Sequence, residues 1–218
     1  LTYKKNLVTA NKAMIAIHGY QLKKLANKYF VNLNFEASVA GGIPIIRTLE
    51  NSLLADKITK VYGILNGTCN YILTQMNEKR LSFDQALKSA QRLGYAEANP
   101  FDDVSGTDAA YKLLILSNLA FGLNVNFKDI YLEGITDIES IDIEMANKLG
   151  YSILLLGISK IKKDVVEYRV HPSLVSQNSI ISKVKNELNT VVLDCHLADK
   201  TILVGKGAGK NPTASAVL

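Results

Sequence analysis

The chain has 218 residues, of which 48% are hydrophobic and 21% charged, with a mean hydropathy of +0.10 and a formal charge of +5. That length buries a substantial core, and that balance excludes a disordered or fibrous chain. Two cysteines far apart, Cys69 and Cys195, exclude a disulfide scaffold, and no apolar run reaches the ~18 residues that span a bilayer.

In chain order, Leu7-Val8-Thr9 reads as a short strand, followed by a helix from Ala13 to Phe30 with Met14, Ile17, Leu22, Leu25 and Ala26 at helical spacing. Val31 to Val39 is β-like until Ala40-Gly41-Gly42-Ile43-Pro44 breaks it. Ile45 to Ala55 reads as a helix, with Pro44 near its start where proline is tolerated. Ile58 to Leu65 is a strand ending in Asn66-Gly67-Thr68. Helices follow over Asn70 to Glu78 and over Phe83 to Leu93, the latter opened by Ser82 and closed by Gly94. Val104 to Phe121 is predicted as the longest helix, ending at Gly122. Ile130 carries strand signal, and Ile141 to Leu149 a short helix closed by Gly150. Strands are predicted over Ser152 to Ser159 and Val165 to Val170, joined at residues 160–164. Asn189 to Cys195 and Thr201 to Val204 pair as a hairpin, and Pro212 to Val217 starts a last helix. Helices early and strands late imply an α+β fold, a mixed β-sheet with helices on one face.

Of 25 basic residues, 21 are lysines, spread along the chain. A solvated lysine-rich surface is the plainer reading. No nucleic acid and no membrane partner is expected, since arginine clusters interleaved with aromatics are absent. The opening Leu1-Thr2-Tyr3-Lys4-Lys5 does not read as a secretory leader, and a cytoplasmic location is expected.

The densest chemistry lies between Gly94 and Lys112, where Glu97, Asp102, Asp103 and Asp108 precede one lysine. Asp108 and Lys112 are spaced i,i+4 and share a helix face. Spacing alone favours a surface salt bridge. Flanked by Leu113, Ile115 and Leu116, the pair also suits a general acid held by its carboxylate. The closely spaced glycines after Val39 suit a steric turn, or converging carbonyls around a hard cation. Gly205-Lys206-Gly207-Ala208-Gly209 suits a hinge or a phosphate cradle. His18, His171 and His196 lack metal-ligand spacing and read as structural.

Five stretches together resemble homoserine dehydrogenase, in that family's order and spacing. They are residues 7–13 (Leu-Val-Thr-Ala-Asn-Lys-Ala), 36–44 (Glu-Ala-Ser-Val-Ala-Gly-Gly-Ile-Pro), 63–73, 94–112, and Gly207-Ala208-Gly209 with residues 212–217. The resemblance implies NAD(P)-dependent interconversion of L-aspartate 4-semialdehyde and L-homoserine, toward threonine, methionine and isoleucine. It implies Lys112 as proton donor to the carbonyl oxygen, with Glu97 and Asp108 holding the substrate amino group and the reactive-end network. Gly94, Asp103 and Thr68 match the substrate pocket. Lys12 and Gly209 match cofactor-contacting positions, with NADP or NAD as cofactor. Glu36, Val39, Gly41 and Ile43 match carbonyls around a monovalent cation, usually sodium. A homodimer is implied through the sheet.

The chain departs from the family's pattern in three places. Asn99 stands where Asp is usual, which removes a charge from the pocket's edge. Leu154 stands where Lys is common, with an altered surface or oligomer contact expected. The Gly-rich G-x-G-x-x-G nucleotide loop is absent. Residues 1–30 are therefore expected to be the tail of a Rossmann-type nucleotide-binding domain, 31–198 the substrate and dimerisation domain, and 199–218 the return to the nucleotide half. Such a chain is expected to be inactive alone. A catalytically silent binding or oligomerisation module and a related semialdehyde or amino-acid reductase remain as alternatives.

Overall fold

The structure, a computed structural model, describes residues 1–163 and 165–218. Two short strands, β1 (Leu7–Val8) and β2 (Leu33–Asn34), pair in parallel through helix α1 (Lys12–Tyr29). Asn11 opens α1 by accepting the Met14 N–H, and Phe30 ends it in the left-handed region. A short helix α2 (Ile45–Arg47) follows a 3-10 turn at Glu36–Ser38. The main sheet comprises β3 (Ile58–Ile64), β4 (Tyr131–Leu132), β5 (Tyr151–Lys162), β6 (Val165–Ser176), β7 (Leu188–Cys195) and β8 (Lys200–Lys206). Its spatial order is β4-β6-β5-β3-β7-β8, antiparallel except for the β4–β6 pair. Helices α3 (Gly67–Lys79), α4 (Phe83–Arg92), α5 (Phe101–Val104), α6 (Thr107–Phe121) and α7 (Ser140–Lys148) lie between β3 and β5 in sequence, and α8 (Lys210–Val217) ends the chain.

Strand register sorts the side chains into faces. One row across the sheet reads Leu132, Val170, Gly157, Gly63, Val191 and Leu203. It faces the helices and shares the main core with Ile72, Leu113 and Leu116. The next row reads Tyr131, Arg169, Ile158, Tyr62, Val192 and Ile202, and points the other way. There Ile181 and Val184 cover a smaller cluster of Ile64, Leu154, Leu156 and Val192. The fold is therefore α+β, a mixed sheet with its helices packed on one face. No helix among the described residues is long and apolar enough to cross a membrane.

Several sequence expectations are corrected. Val31 to Val39 holds only the two-residue β2 and the 3-10 turn, because its pairing partner is itself two residues long. Ile45 to Ala55 is not one α-helix: α2 gives way to a π-helical turn at Thr48–Ser52. Val104 to Phe121 is broken at Ser105-Gly106, where Gly106 adopts φ +85° and a β-carbon would press on Leu132 and Val170. The longest helix is α1, at 18 residues. Strand β6 continues past His171-Pro172, since β4 flanks it only at Arg169 and Val170, leaving that edge open where Pro172 needs no N–H partner. Leu154 is no surface position. It is 4% exposed and packs in the smaller cluster.

Candidate active site

A cleft of about 1270 Å³ opens where four segments converge: the start of α1, the loop at residues 37–42, the N-terminus of α3 with the 93–108 stretch, and the loop from Lys206 into α8. Lys12, Thr68, Gly94, Glu97, Asp103, Asp108, Lys112 and Gly209 all line it. These residues, up to 197 positions apart in sequence, thus line one cleft.

The centre is Asp108, in the first turn of α6, where a carboxylate is favoured by the helix dipole. Its Oδ2 lies 2.7 Å from Lys112 Nζ, one turn on, and its Oδ1 lies 2.8 Å from Lys12 Nζ. Lys112 also donates to the Leu65 carbonyl at the end of β3, at 2.9 Å. Asp108 is 5% and Lys112 8% exposed. This corrects the surface salt bridge that spacing alone favoured: β3 and the apolar flank of α6 remove the pair from water. Burial works against the Asp108 carboxylate, but Lys112 and Lys12 outweigh it and hold its pKa at about 2. Burial likewise opposes the Lys12 ammonium, and Asp108, with help from Asp103 and Asp102, outweighs that and raises its pKa. Asp103 makes no ion pair among the described residues: burial, with the neighbouring Asp108, raises its pKa against the hydrogen bond from Asn66 and the charge of Lys112.

Asn66 is a site residue that the sequence reading missed. Its Nδ2 donates to Asp103 Oδ1 at 2.7 Å and to Asp108 Oδ2 at 2.8 Å, while its Oδ1 caps α3 by accepting the Cys69 N–H. The available signal was an asparagine directly before a helix start. Thr68 directs its hydroxyl to the Tyr95 carbonyl at 2.7 Å and so ties α3 to the loop carrying Glu97. Glu97 is exposed to the cleft and makes no ion pair among the described residues. Asn99 lines the cleft and accepts the Phe101 N–H, opening α5. Cys69 is buried, and burial together with Asp103 and Asp108 pushes its thiol pKa well up, so it stays neutral. None of the three histidines lines the cleft.

Glu36, Val39, Gly41 and Ile43 stand on the 37–42 wall rather than at its surface, which Ala37, Ser38, Ala40 and Gly42 form. The Glu36 carboxylate is already used: it accepts the Ile46 and Arg47 N–H groups at 2.8 and 2.9 Å. The Val39 and Gly41 carbonyls accept no hydrogen bond among the described residues. The Glu36 and Ile43 carbonyls accept the Val39 and Ile45 N–H groups at 3.4 and 2.7 Å, so the free part of the set is two neutral oxygens on a tight loop, a donor type that suits a hard cation of low charge. The same loop is bonded to the glycine-rich one, with Gly42 N–H donating to the Lys206 carbonyl at 2.9 Å.

Residues 44–218 match the family model for homoserine dehydrogenase. The chain belongs to the homoserine dehydrogenase family. It is 50% identical over all 218 residues to a homoserine dehydrogenase of Helicobacter pylori and 44% identical to that of Bacillus subtilis, covering 51% and 50% of them. The chain thus spans about half the length of the curated relatives it matches. Among solved structures, a homoserine dehydrogenase from Thiobacillus denitrificans superposes with a TM-score of 0.94 at 46% identity, over 97% of this chain and 49% of that one. A hyperthermophilic archaeal homoserine dehydrogenase in complex with NADPH gives 0.83 at 29% identity, over 97% of this chain and 61% of that one.

Proposed function

We propose that the protein carrying this chain interconverts L-aspartate 4-semialdehyde and L-homoserine with NADP or NAD, in the cytoplasmic synthesis of threonine, methionine and isoleucine. The observation that carries this reading is the buried Asp108–Lys112 pair, joined by the part-exposed Lys12, in a cleft that also holds Glu97, which makes no ion pair among the described residues.

Reducing an aldehyde to an alcohol adds a hydride to carbon and a proton to oxygen. The nicotinamide cofactor supplies the hydride when bound. Lys112 supplies the proton: its Nζ faces the cleft, and Asp108 and the Leu65 carbonyl fix its direction, leaving one N–H for the substrate oxygen. Asp108 acts through Lys112 and Lys12 and keeps both ammonium groups in place. Glu97 and Asp103 supply negative charge for the substrate ammonium, with Gly94 and Thr68 shaping that end. Lys12, which lines the same cleft as Gly209, is assigned to the junction of substrate and cofactor. The cofactor fits along Gly207 to Gly209, where two glycines flank the small Ala208 and lead into α8. Glu36, Val39, Gly41 and Ile43 hold a monovalent cation, sodium in our reading, through carbonyls beside that loop.

Residues 1–30 and 199–218 belong to the nucleotide-binding half, and 31–198 form the substrate and dimerisation domain. The parallel β1–α1–β2 unit supports the first division. The sheet face bearing Tyr62, Ile158 and Ile202, away from the helices, suits a second copy of the chain.

The test is homoserine oxidation, followed as cofactor reduction, in the whole protein and in residues 1–218 alone. Turnover by the whole protein and none by the shorter chain is expected. A whole protein that binds cofactor but leaves homoserine unoxidised overturns the reading in favour of a different substrate or a silent module.

A further inference from the structure

Asn189 is the least expected residue near the cleft. It lies on β7, opposite Gly205, and is 1% exposed. An asparagine amide offers two donors and two lone pairs. Here neither Oδ1 nor Nδ2 has a hydrogen-bond partner among the described residues. Leaving a buried amide unpaired is costly, and an apolar side chain of the same shape avoids the cost. The position therefore holds an amide for something other than packing.

Its neighbours indicate what. A β-carbon on Gly207 would overlap the Asn189 amide, and a β-carbon on Gly67 would sit 3.1 Å from Asn189 Oδ1. Gly67 begins α3 and Gly207 lies in the glycine-rich loop, and both line the cleft. Across the loop, a β-carbon on Gly41 would come within 3.0 Å of the Gly207 carbonyl. The loop thus passes between Asn189 and Gly41, with its backbone against an amide whose bonding capacity is unused.

We propose that Asn189 is a positioning residue for the Gly205–Gly209 loop. Its amide hydrogen-bonds the Gly207–Ala208 backbone when the nicotinamide cofactor occupies the cleft, and so fixes the loop against the substrate half at α3. This rests on the function proposed above and goes beyond it, because it assigns the loop's anchor to a residue outside the catalytic set.

The test uses the whole protein and Asn189→Leu, which keeps the volume and removes the polar atoms, with Asn189→Ala as a second variant should the first fail to fold. Three quantities are read: the thermal midpoint without cofactor, KM and kcat for cofactor and for homoserine, and hydrogen exchange of residues 205–211 with and without NADP. Wild type is expected to gain exchange protection in that segment on adding NADP. The variant is expected to keep or raise the thermal midpoint, to lose that gain, and to raise the cofactor KM about 10-fold with the homoserine KM within twofold. Wild-type protection and cofactor KM in the variant overturn the proposal. So does a lowered midpoint with both KM values rising together, which marks a purely structural residue. A wild type whose loop is protected by NADP but which leaves homoserine unoxidised refutes the proposed substrate and not the anchor.

Discussion

Asp108 and Lys112 form an ion pair of 2.7 Å one helical turn apart, both more than nine-tenths buried. A buried pair of this kind adds little net stability over an apolar pair, because desolvating two charges offsets their attraction. Its presence on an otherwise apolar face of α6 is therefore better explained by chemistry than by folding.

Lys112→Ala separates those two roles. Removing one member of a buried pair ordinarily strands the other. Here Asp108 keeps Lys12 on Oδ1 and the Asn66 amide on Oδ2. The whole protein carrying Lys112→Ala is expected to retain its circular dichroism spectrum while kcat for homoserine falls by ~10²–10⁴-fold, the usual worth of a positioned proton donor. Near-wild-type turnover would remove Lys112 from the proton path.

Asp108→Asn has a pH signature. The Asp108 pKa is lowered to about 2 in the fold from an ordinary 3.8. A depressed carboxylate pKa gives stability that is present above the unfolded value and lost as pH falls toward the folded one. The contribution, on the order of 2 kcal/mol, is complete above about pH 4 and disappears toward pH 2. Denaturation midpoints of wild type and Asp108→Asn should differ clearly at pH 6 and converge on acidification across that window. A pH-independent gap would mean that the carboxylate's charge is not what holds the two lysines.

Asp103→Asn runs the other way. The Asp103 pKa is raised by burial and by Asp108, so its ionised form opposes folding at neutral pH. A neutral asparagine can still accept the Asn66 N–H through its own oxygen. The substitution is expected to raise the thermal midpoint by ~1–3 °C at pH 7 and by less at pH 4, a gain under about 1 kcal/mol. On the proposed function, homoserine KM should rise, because a carboxylate assigned there to the substrate ammonium is lost. A midpoint that falls at pH 7 would contradict the assigned strain.

How much of this was legible in the sequence depends on whether the deciding contact is local. Ser82 and Gly122 announce helix ends by themselves, and the structure caps α4 and α6 there. The apolar runs of β5 and α6 identify those elements too, apart from the break before Thr107. Burial of the Asp108–Lys112 pair was not legible, because i,i+4 spacing is the same in water and in a core. What decides it is the end of β3, 47 residues upstream of Lys112. The pairing of β1 with β2 across α1 is likewise non-local. Leu154 shows the converse: of the surface or oligomer contact expected there, the surface reading fails because residues 181 and 184 fold over the sheet.

Gly63 and Gly157 face each other across β3 and β5 on the helix side, so the sheet has no side chains where Leu65 and Leu113 approach. Gly157 in particular lets the Leu65 and Leu113 side chains lie against the sheet beside the Leu65 carbonyl that Lys112 bonds. The two glycines differ in what an added methyl meets. At Gly157 it would lie 2.7 Å from the Leu65 Cδ1 atom, the far end of a side chain that can turn away. At Gly63 it would overlap the Thr190 carbonyl, which is held in the β3–β7 ladder. Gly157→Ala is expected to fold with a loss of about 1–2 kcal/mol and a several-fold lower kcat, because the Leu65 adjustment shifts the acceptor of the Lys112 hydrogen bond. Gly63→Ala is expected to lose 3 kcal/mol or roughly more, and to yield little soluble protein, since only separation of β3 from β7 relieves the overlap. Thermal midpoints and soluble yields of the two variants side by side check this. Equal tolerance at both positions would show that the β3–β7 ladder has slack there.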